Sequence, residues 1–405
     1  MIAAPDHARA ARSEEVRALL ASLCAPLQAE RVPLADALGR VLREPVDAPE
    51  DQPGFDRSSV DGYAVRMDDT STSVRVIEEI RAGDWKAGPV RPGEAVRIAT
   101  GGALPCDGLQ VVMKEDVEVQ GTRAQLVRRE AGRNVRLRGE EARAGQVLVE
   151  PGTLLSPGAL ALLASVGHTR PCVTRRPRVL HLATGNEIVA PDQTPLPGQI
   201  RDSNSTLVRS FLLQWNIEPR QLRVAEDAEA TESALADAGD GADLVLISGG
   251  ASVGEHDFTR RLLERLGYTM HVSKTQTRPG KPLIIAQRDQ TVAFGLPGNP
   301  LAHFVCLALY VRTALDAFSG RPAESPVQRG VLTAELRADA NARETFWPAR
   351  RRLISGAPAL TPLRWTSSGD LTALATANAL IRVRAGTAEL TQGSEVEFIS
   401  TFPTP

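Results

Sequence analysis

The sequence predicts a multidomain α/β protein: a parallel-sheet domain with helices on both faces, an N-terminal helical support carrying an inserted β-containing module, and a small C-terminal all-β domain. Three patterns lead to this reading. Residues 177–320 alternate short apolar runs with longer helix-period runs, the order that builds a parallel sheet covered by helices. From about 45 to 145, brief β-rich runs are parted by Gly, Pro and Asp. From about 325 onward, similar short runs recur among Gly and Pro. The expected boundaries are 1–176 for the N-terminal region with its module at about 46–146, 177–322 for the α/β domain, and 323–405 for a β-barrel-like domain.

Taken in order, residues 13 to about 42 read as two short helical segments, with Ser13 as N-cap and Glu14 and Glu15 in the first turn. The runs 74–80, 110–119 and 124–129 are the strands of the module. Helical spacing returns over 154–166, so this segment and the N-terminal helices pack together as the support. In the α/β domain the strands are 178–183, 222–225, 244–248, 283–286 and 292–296, and the helices 207–215, 258–266 and 301–318, the first of these preceded by Asp202, Ser203 and Asn204 as candidate caps. The C-terminal strands are 330–336, 380–383 and 395–399.

Composition excludes several classes of function. With 47 Lys and Arg against 49 Asp and Glu, the chain has no overall field for a polyanion, so nucleic acid is not the expected partner. Cys24, Cys106, Cys172 and Cys306 form no CxxC pair and the six histidines no HExxH, which removes thiolate and zinc sites. The first ten residues are charged where a signal peptide needs an apolar core, and no apolar run approaches the roughly 18 residues of a membrane span. No membrane association and a reducing cytoplasm are expected.

In sheets of this kind a ligand sits beyond the carboxyl ends of the strands. Three strand ends run into unusual loops here: Thr184-Gly185-Asn186-Glu187, Ser248-Gly249-Gly250-Ala251-Ser252-Val253-Gly254, and Gly295-Leu296-Pro297-Gly298-Asn299-Pro300. The second is a phosphate cradle or simply a tight turn; its spacing is neither Walker A nor GxGxxG. Lys274, Arg278 and Lys281 bring three cations together, the last two braced by Pro279 and Gly280, as an oxyanion site or a solvated basic loop. Glu187 and Asp257 follow strand ends and Asp61 sits in a turn of the module; together they suit a magnesium ion held against phosphates, and singly they suit caps or surface charges. Asp243 precedes its strand, lies at the opposite end, and is read as structural.

Five ordered segments then become specific: Phe55-Asp56-Arg57-Ser58-Ser59-Val60-Asp61-Gly62-Tyr63-Ala64-Val65, Arg97-Ile98-Ala99-Thr100-Gly101-Gly102, Asn134-Val135-Arg136-Leu137-Arg138-Gly139-Glu140-Glu141, the loop from Ser248 to Gly254, and the turn from Gly295 to Pro300. They resemble the molybdopterin molybdenumtransferase family (MoeA and the gephyrin E-domain). The resemblance implies an elongated homodimer whose site lies between the molybdopterin-binding α/β domain of one subunit and the module of the other. It implies adenylylated molybdopterin and molybdate as substrates, Mg2+ as cofactor, and AMP and molybdenum cofactor as products. Molybdopterin adenylyltransferase and molybdoenzyme acceptors are the candidate partners. By motif, Asp61 and Thr100 line the partner-side wall, and Glu187, Asp257, Ser248, Gly249, Gly250, Ser252 and Gly254 the nucleotide and metal side, with Glu187 and Asp257 on the metal. Lys274 joins the catalytic set. Arg278 and Lys281 hold molybdate, joined by Arg350 and Ser368, and Pro297, Gly298, Asn299 and Pro300 are further cofactor-binding residues.

The chain departs from the family at Asn186, where Asp is usual, at Glu141, which lengthens an Asp, at Arg278, which replaces a Lys with a planar fork, and at Leu301-Ala302, which removes a hydroxyl. Two other readings follow: a molybdopterin-binding scaffold without transferase activity, and the related adenylyltransferase, against which the extra N- and C-terminal domains argue.

Overall fold

The computed structural model describes residues 10–224, 227–239, 241–249, 255–321 and 326–401, without the side chains of 228, 237–239 and 255–257. Two compact units emerge: residues 31–38 with 42–173, and the remainder of the described chain.

In the first unit, strands β1 (Gly62–Arg66), β2 (Ser73–Ile80), β3 (Glu94–Ile98), β4 (Leu109–Met113), β5 (Val117–Gln120) and β6 (Arg123–Leu126) form one sheet in the order β4-β1-β3-β2-β6-β5. Both faces are covered: Ala64, Val96, Ile98 and Val111 pack with Val90 and Leu104, while Tyr63, Val65, Val74 and Val112 pack with Ala124 and Leu126. The two sets alternate along each strand, as a period of two requires. A helix over Pro157–Ser165 begins with Ser156 Oγ accepting from the Ala159 amide at 3.2 Å and with proline in its first turn. Its Leu163, with Val166, closes a separate core with Ala37, Leu42, Val46, Val149 and Leu155.

The other unit opens with α1 (Ser13–Leu23). Sequence pairs this helix with the Pro157–Ser165 segment, but its Val16 and Leu20, one turn apart, are buried against the apolar helix that follows the sheet, in a core with Tyr310 and Leu315. Ser13 is not the cap: Arg12 occupies that position, and Ser13 Oγ donates to Glu344 Oε2 at 2.5 Å.

The central sheet consists of β7 (Val179–Thr184), β8 (Arg220–Val224), β9 (Leu244–Ser248), β10 (Thr269–Lys274), β12 (Pro282–Arg288) and β13 (Thr291–Leu296), in the order β8-β7-β9-β13-β12-β10; β11 (Thr277–Arg278) lies outside it. It is mixed rather than parallel throughout. The first four strands are parallel, whereas β12 runs antiparallel to both β13 and β10. Only Asp289 and Gln290 separate β12 from β13, and Asp289 has a φ of +52°, so the connection is a two-residue hairpin and cannot be a crossover. Helices cover both faces as expected. The α2 helix (Asn204–Leu213) shares one core with Phe294, Tyr310 and Leu315, while α3 (Ala228–Gly239) and α4 (Glu255–Arg265) pack Leu235, Leu262 and Leu263 on the other face against Leu180, Val245 and Ile247.

After β13 come α5 (Pro300–Cys306), a π-helical turn over Leu307–Val311, and α6 (Arg312–Ser319). Contrary to the sequence expectation, this 20-residue stretch is long and apolar enough to cross a membrane by composition alone. Its apolar window is 72% buried in the unit, against the sheet and α1, so its hydropathy is that of a core helix.

The last strands, β14 (Val327–Leu332), β15 (Glu344–Ile354), β16 (Ala357–Pro362), β17 (Ala379–Val383) and β18 (Glu395–Ser400), pair in the order β15-β16-β14-β18-β17, and β17 returns to β15, closing a small barrel. Leu332, Leu360, Ile381, Val396 and Phe398 fill it. The two residues of β11 add a parallel pairing to β15, Thr277 with Glu344 and Arg278 with Thr345.

Candidate functional site

Strand direction decides where chemistry gathers. Because β7, β9 and β13 are parallel, their carboxyl ends share one edge, and the hairpin puts the beginning of antiparallel β12 at that same edge. Two cavities open there, divided by the Pro297–Pro300 turn. Gly298 and Asn299 line both.

The larger, about 480 Å³, is a cleft between the basic loop and the barrel, lined by Arg278, Lys281, Asn299, Arg343 and Ser368 among others. Its lining carries three cations, Arg278, Lys281 and Arg343, against one carboxylate, Asp339. Arg278 donates to Asp339 Oδ2 at 2.9 Å, and its guanidinium carbon lies 5.8 Å from the Trp365 ring centre. Burial and the neighbouring Arg278 charge lower the pKa of Arg343. Asn299 Nδ2 donates to Ser368 Oγ at 2.9 Å, and the Ser368 carbonyl accepts from the Leu301 amide at 2.9 Å, which docks the Ser367-Ser368 segment onto the start of α5. Gly280, at φ +115°, would bring a Cβ within 3.2 Å of both Cys306 Sγ and Thr277 Oγ1, so glycine lets the loop pass flat against that helix.

The smaller cavity, about 330 Å³, is the crevice beyond β7 and β9, lined by Thr184, Glu187, Asp202, Asn204, Ser248 and Gly249 among others. Gly249 is obligatory there: at φ +105° a Cβ would lie 2.1 Å from the Thr184 carbonyl oxygen. Thr184 Oγ1 donates to the Ser248 carbonyl at 3.2 Å, and Asn204 Nδ2 to the Gly298 carbonyl at 2.7 Å. Burial pushes the Asp202 carboxyl up, but Ser205 and Arg223 donate to it and hold it below the usual carboxylate range. Beneath the crevice His181 is fully buried, and burial, reinforced by the charge of His303, pulls its pKa down to about 3. Burial likewise brings His303 to about 4.

In the other unit, the antiparallel register of Gly62 with Ile98 sets Asp61 beside Thr100. Asp61 Oδ1 accepts from the Thr100 amide and hydroxyl, both at 2.8 Å, and Oδ2 from Lys114 Nζ at 3.2 Å. The Thr100 amide leads these contacts in holding Asp61 down at about 2. The recess beside it, about 460 Å³, is lined by Glu79, Arg81, Arg97 and Lys114 as well as Asp61.

Most candidates from the sequence therefore gather in three places. Arg278, Lys281, Pro297, Gly298, Asn299 and Ser368 line the cleft, Glu187, Ser248, Gly249 and Pro300 the crevice, and Asp61 and Thr100 meet in the module. Gly250, Ser252 and Gly254 lie outside the described residues, as does the side chain of Asp257, which stands in the first turn of α4. Two candidates are not brought in. Lys274, at the end of β10, is exposed and lines neither cavity. Arg350 has the parity of Phe346 on β15, opposite to Trp347, so it leaves the face that meets the cleft. Arg343 stands across the cleft instead. Sequence reasoning missed it because it precedes β15 without a motif, and missed His181 because a lone histidine in an apolar strand carries no signal. Ala302, one of the departures, does line the cleft, and Asp243 is structural as expected, forming a two-point ion pair with Arg175 at 2.6 Å.

A mixed-sheet domain with its strand-end crevice, in a chain that also builds a β-rich module and a small barrel, defines the class: residues 181–317 match the description of a probable molybdopterin binding domain. Residues 11–167 match the MoeA N-terminal region (domain I and II), and 329–401 the MoeA C-terminal region (domain IV). A molybdopterin molybdenumtransferase from a Nostoc species is 34% identical over 91% of this chain and 87% of its own length. One from Bacillus subtilis is 33% identical over 92% of this chain and 90% of its own. The crystal structure of a molybdopterin biosynthesis MoeA protein from Pyrococcus horikoshii, 26% identical, superposes with a TM-score of 0.80 and covers 97% of this chain and all of its own. The chain belongs to the MoeA family.

Proposed function

We propose that this protein is a transferase of molybdenum cofactor biosynthesis that inserts molybdenum from molybdate into adenylylated molybdopterin and releases AMP. One observation carries the reading: a cationic cleft and a crevice lined by hydroxyl and amide donors with the carboxylates Glu187 and Asp202 adjoin at Gly298 and Asn299. Molybdate is a tetrahedral dianion, and Arg278, Lys281 and Arg343, with the Ser368 hydroxyl, supply charge and donors to bind it and to stabilise oxygen leaving as the metal is taken up. Ser248 and the glycine turn after it receive the nucleotide portion in the crevice. Gly249, which has no Cβ, leaves room for a ligand to approach the backbone there.

Magnesium suits this donor set in one form only. Among the described residues no three acidic, His or Cys side chains are grouped to hold a metal, but magnesium on a nucleotide needs just one or two carboxylates, with phosphates and water completing its shell. Glu187 is the described carboxylate free for that role in the crevice, and Asp257 follows the loop after Ser248. The ion, when bound, polarises the phosphoanhydride. Asp61 and Thr100 belong to this reading as the wall supplied by a second copy, so the active species is a homodimer. Its partners are the adenylyltransferase that makes the nucleotide and the molybdoenzymes that accept the product. The compartment is the cytoplasm.

Purified protein given adenylylated molybdopterin, magnesium and molybdate releases AMP and sediments as a dimer. Tight binding of the nucleotide without AMP release would instead make it a scaffold. In the same assay Asp61→Asn loses most activity at an unchanged melting temperature, since asparagine still accepts from Thr100 but removes the charge. Full activity in that variant would remove Asp61 from the site.

A further inference from the structure

A chain of hydrogen bonds beneath the crevice has one readable direction. Gln221 Nε2 lies 2.9 Å from the Ser205 backbone carbonyl, which only accepts, so that atom is the amide nitrogen and the orientation of the Gln221 side chain is settled. The same nitrogen lies 2.9 Å from His181 Nδ1 and has a second hydrogen for it. Nδ1 therefore accepts and carries no proton. In the neutral ring the proton is then on Nε2, and Nε2 donates to Ser248 Oγ at 2.6 Å. With its oxygen occupied by that donor, the Ser248 hydroxyl must direct its own hydrogen elsewhere. No described side chain or carbonyl accepts it, and Ser248, 3% exposed, lines the crevice.

We infer that the Gln221–His181–Ser248 chain makes Ser248 a donor into the crevice, so the group bound there accepts from it, and the acceptor is a phosphate oxygen of the pterin nucleotide. This rests on the proposed function for the identity of the nucleotide, while the direction of the chain stands without it. His181 is a positioning residue: buried under Ser248, it touches no substrate and acts by holding one hydroxyl in one polarity. Burial supports the scheme, because a ring held neutral across the physiological range has a single proton, and with Nδ1 accepting from Gln221 that proton sits on Nε2.

The substitution Gln221→Glu reverses it. A carboxylate beside Nδ1 demands a proton there, Nε2 turns acceptor, and Ser248 must donate inward. Nitrogen-15 NMR of histidine-labelled protein without ligand reads the tautomer directly: Nε2–H is expected in the parent and Nδ1–H in Gln221→Glu. A parent with Nδ1–H overturns the inference whether or not any variant folds. With adenylylated molybdopterin as substrate, Ser248→Ala and Gln221→Glu should each raise KM by about 10- to 150-fold, the loss of one hydrogen bond to a charged acceptor, with kcat nearly unchanged. The double variant should be no worse than Ser248→Ala alone, whereas independent structural damage would multiply. If the parent turns over and both single variants keep KM within twofold, the inference fails and the proposed function stands. If the parent neither binds nor turns over the nucleotide, the proposed function fails, and the tautomer alone decides the hydrogen-bond chain.

Discussion

The two cavities at the sheet edge share a wall at Gly298 and Asn299 yet are built by opposite means. The cleft relies on side-chain charge: three cations, one of them 5.8 Å from the Trp365 ring centre, line it and attract an anion by field. The crevice relies on fixed dipoles: glycine turns, a threonine and a serine whose hydroxyl is aimed by a buried histidine. A charged side chain is readily replaced by another of like charge, whereas a position where a Cβ would lie 2.1 Å from a carbonyl oxygen tolerates no side chain. The cleft should thus be graded in its response to mutation, and the glycine turn of the crevice all-or-none.

The sharpest break is expected at Gly249→Ala. A methyl group has no room against the Thr184 carbonyl, and alanine is strained at φ +105°, so the variant should lose more than about 3 kcal/mol of stability in urea unfolding, with the crevice activity lost as well. A parent-like unfolding midpoint would show that the crevice gives way.

Acid should also strike the crevice first. The folded-state pKa values of His181 and His303, about 3 and about 4, lie below the unfolded value near 6.5. Between those limits the unfolded chain binds more protons, so stability is complete above pH 6.5 and falls as the pH drops toward 4, by on the order of 3 kcal/mol for His181. Denaturant titrations at pH 7, 5.5 and 4 measure the slope. His181→Leu should flatten it, and an unchanged slope in that variant would mean the histidine is not buried neutral.

In the cleft, Lys281→Ala should weaken molybdate binding by about 10- to 150-fold in calorimetry while leaving the affinity for the pterin nucleotide close to the parent's. Unaltered molybdate affinity would make the basic loop merely solvated. The smallest effect belongs to Arg278→Lys, which retains the charge but loses the fork that reaches Asp339; AMP release should remain within about tenfold of the parent. A collapse of activity there would move Arg278 to the all-or-none class.

Much of this was legible from residues alone. Fully buried strands such as Leu244–Ser248 announce themselves as continuous apolar runs, and the loops that follow them mark the ligand edge. Antiparallel and half-exposed strands do not. In Glu344–Ile354 three successive arginines hide the longest strand of the barrel, although Ser355-Gly356, both at positive φ, is the hairpin turn that would have revealed it. Thr269–Lys274 is an edge strand of mixed polarity, and missing it left Lys274 unplaced. Arg343 and His181 escaped for a different reason: their roles depend on which strands become neighbours, and no local pattern encodes that.

The two-residue strand β11 makes the two cations of the basic loop passengers on different bodies. Arg278 is stitched to Thr345 of the barrel, while Lys281 leads directly into β12 of the central sheet, its carbonyl tied to the Thr275 amide. The gap between the two charges is therefore fixed by the junction of barrel and sheet as well as by the side chains themselves.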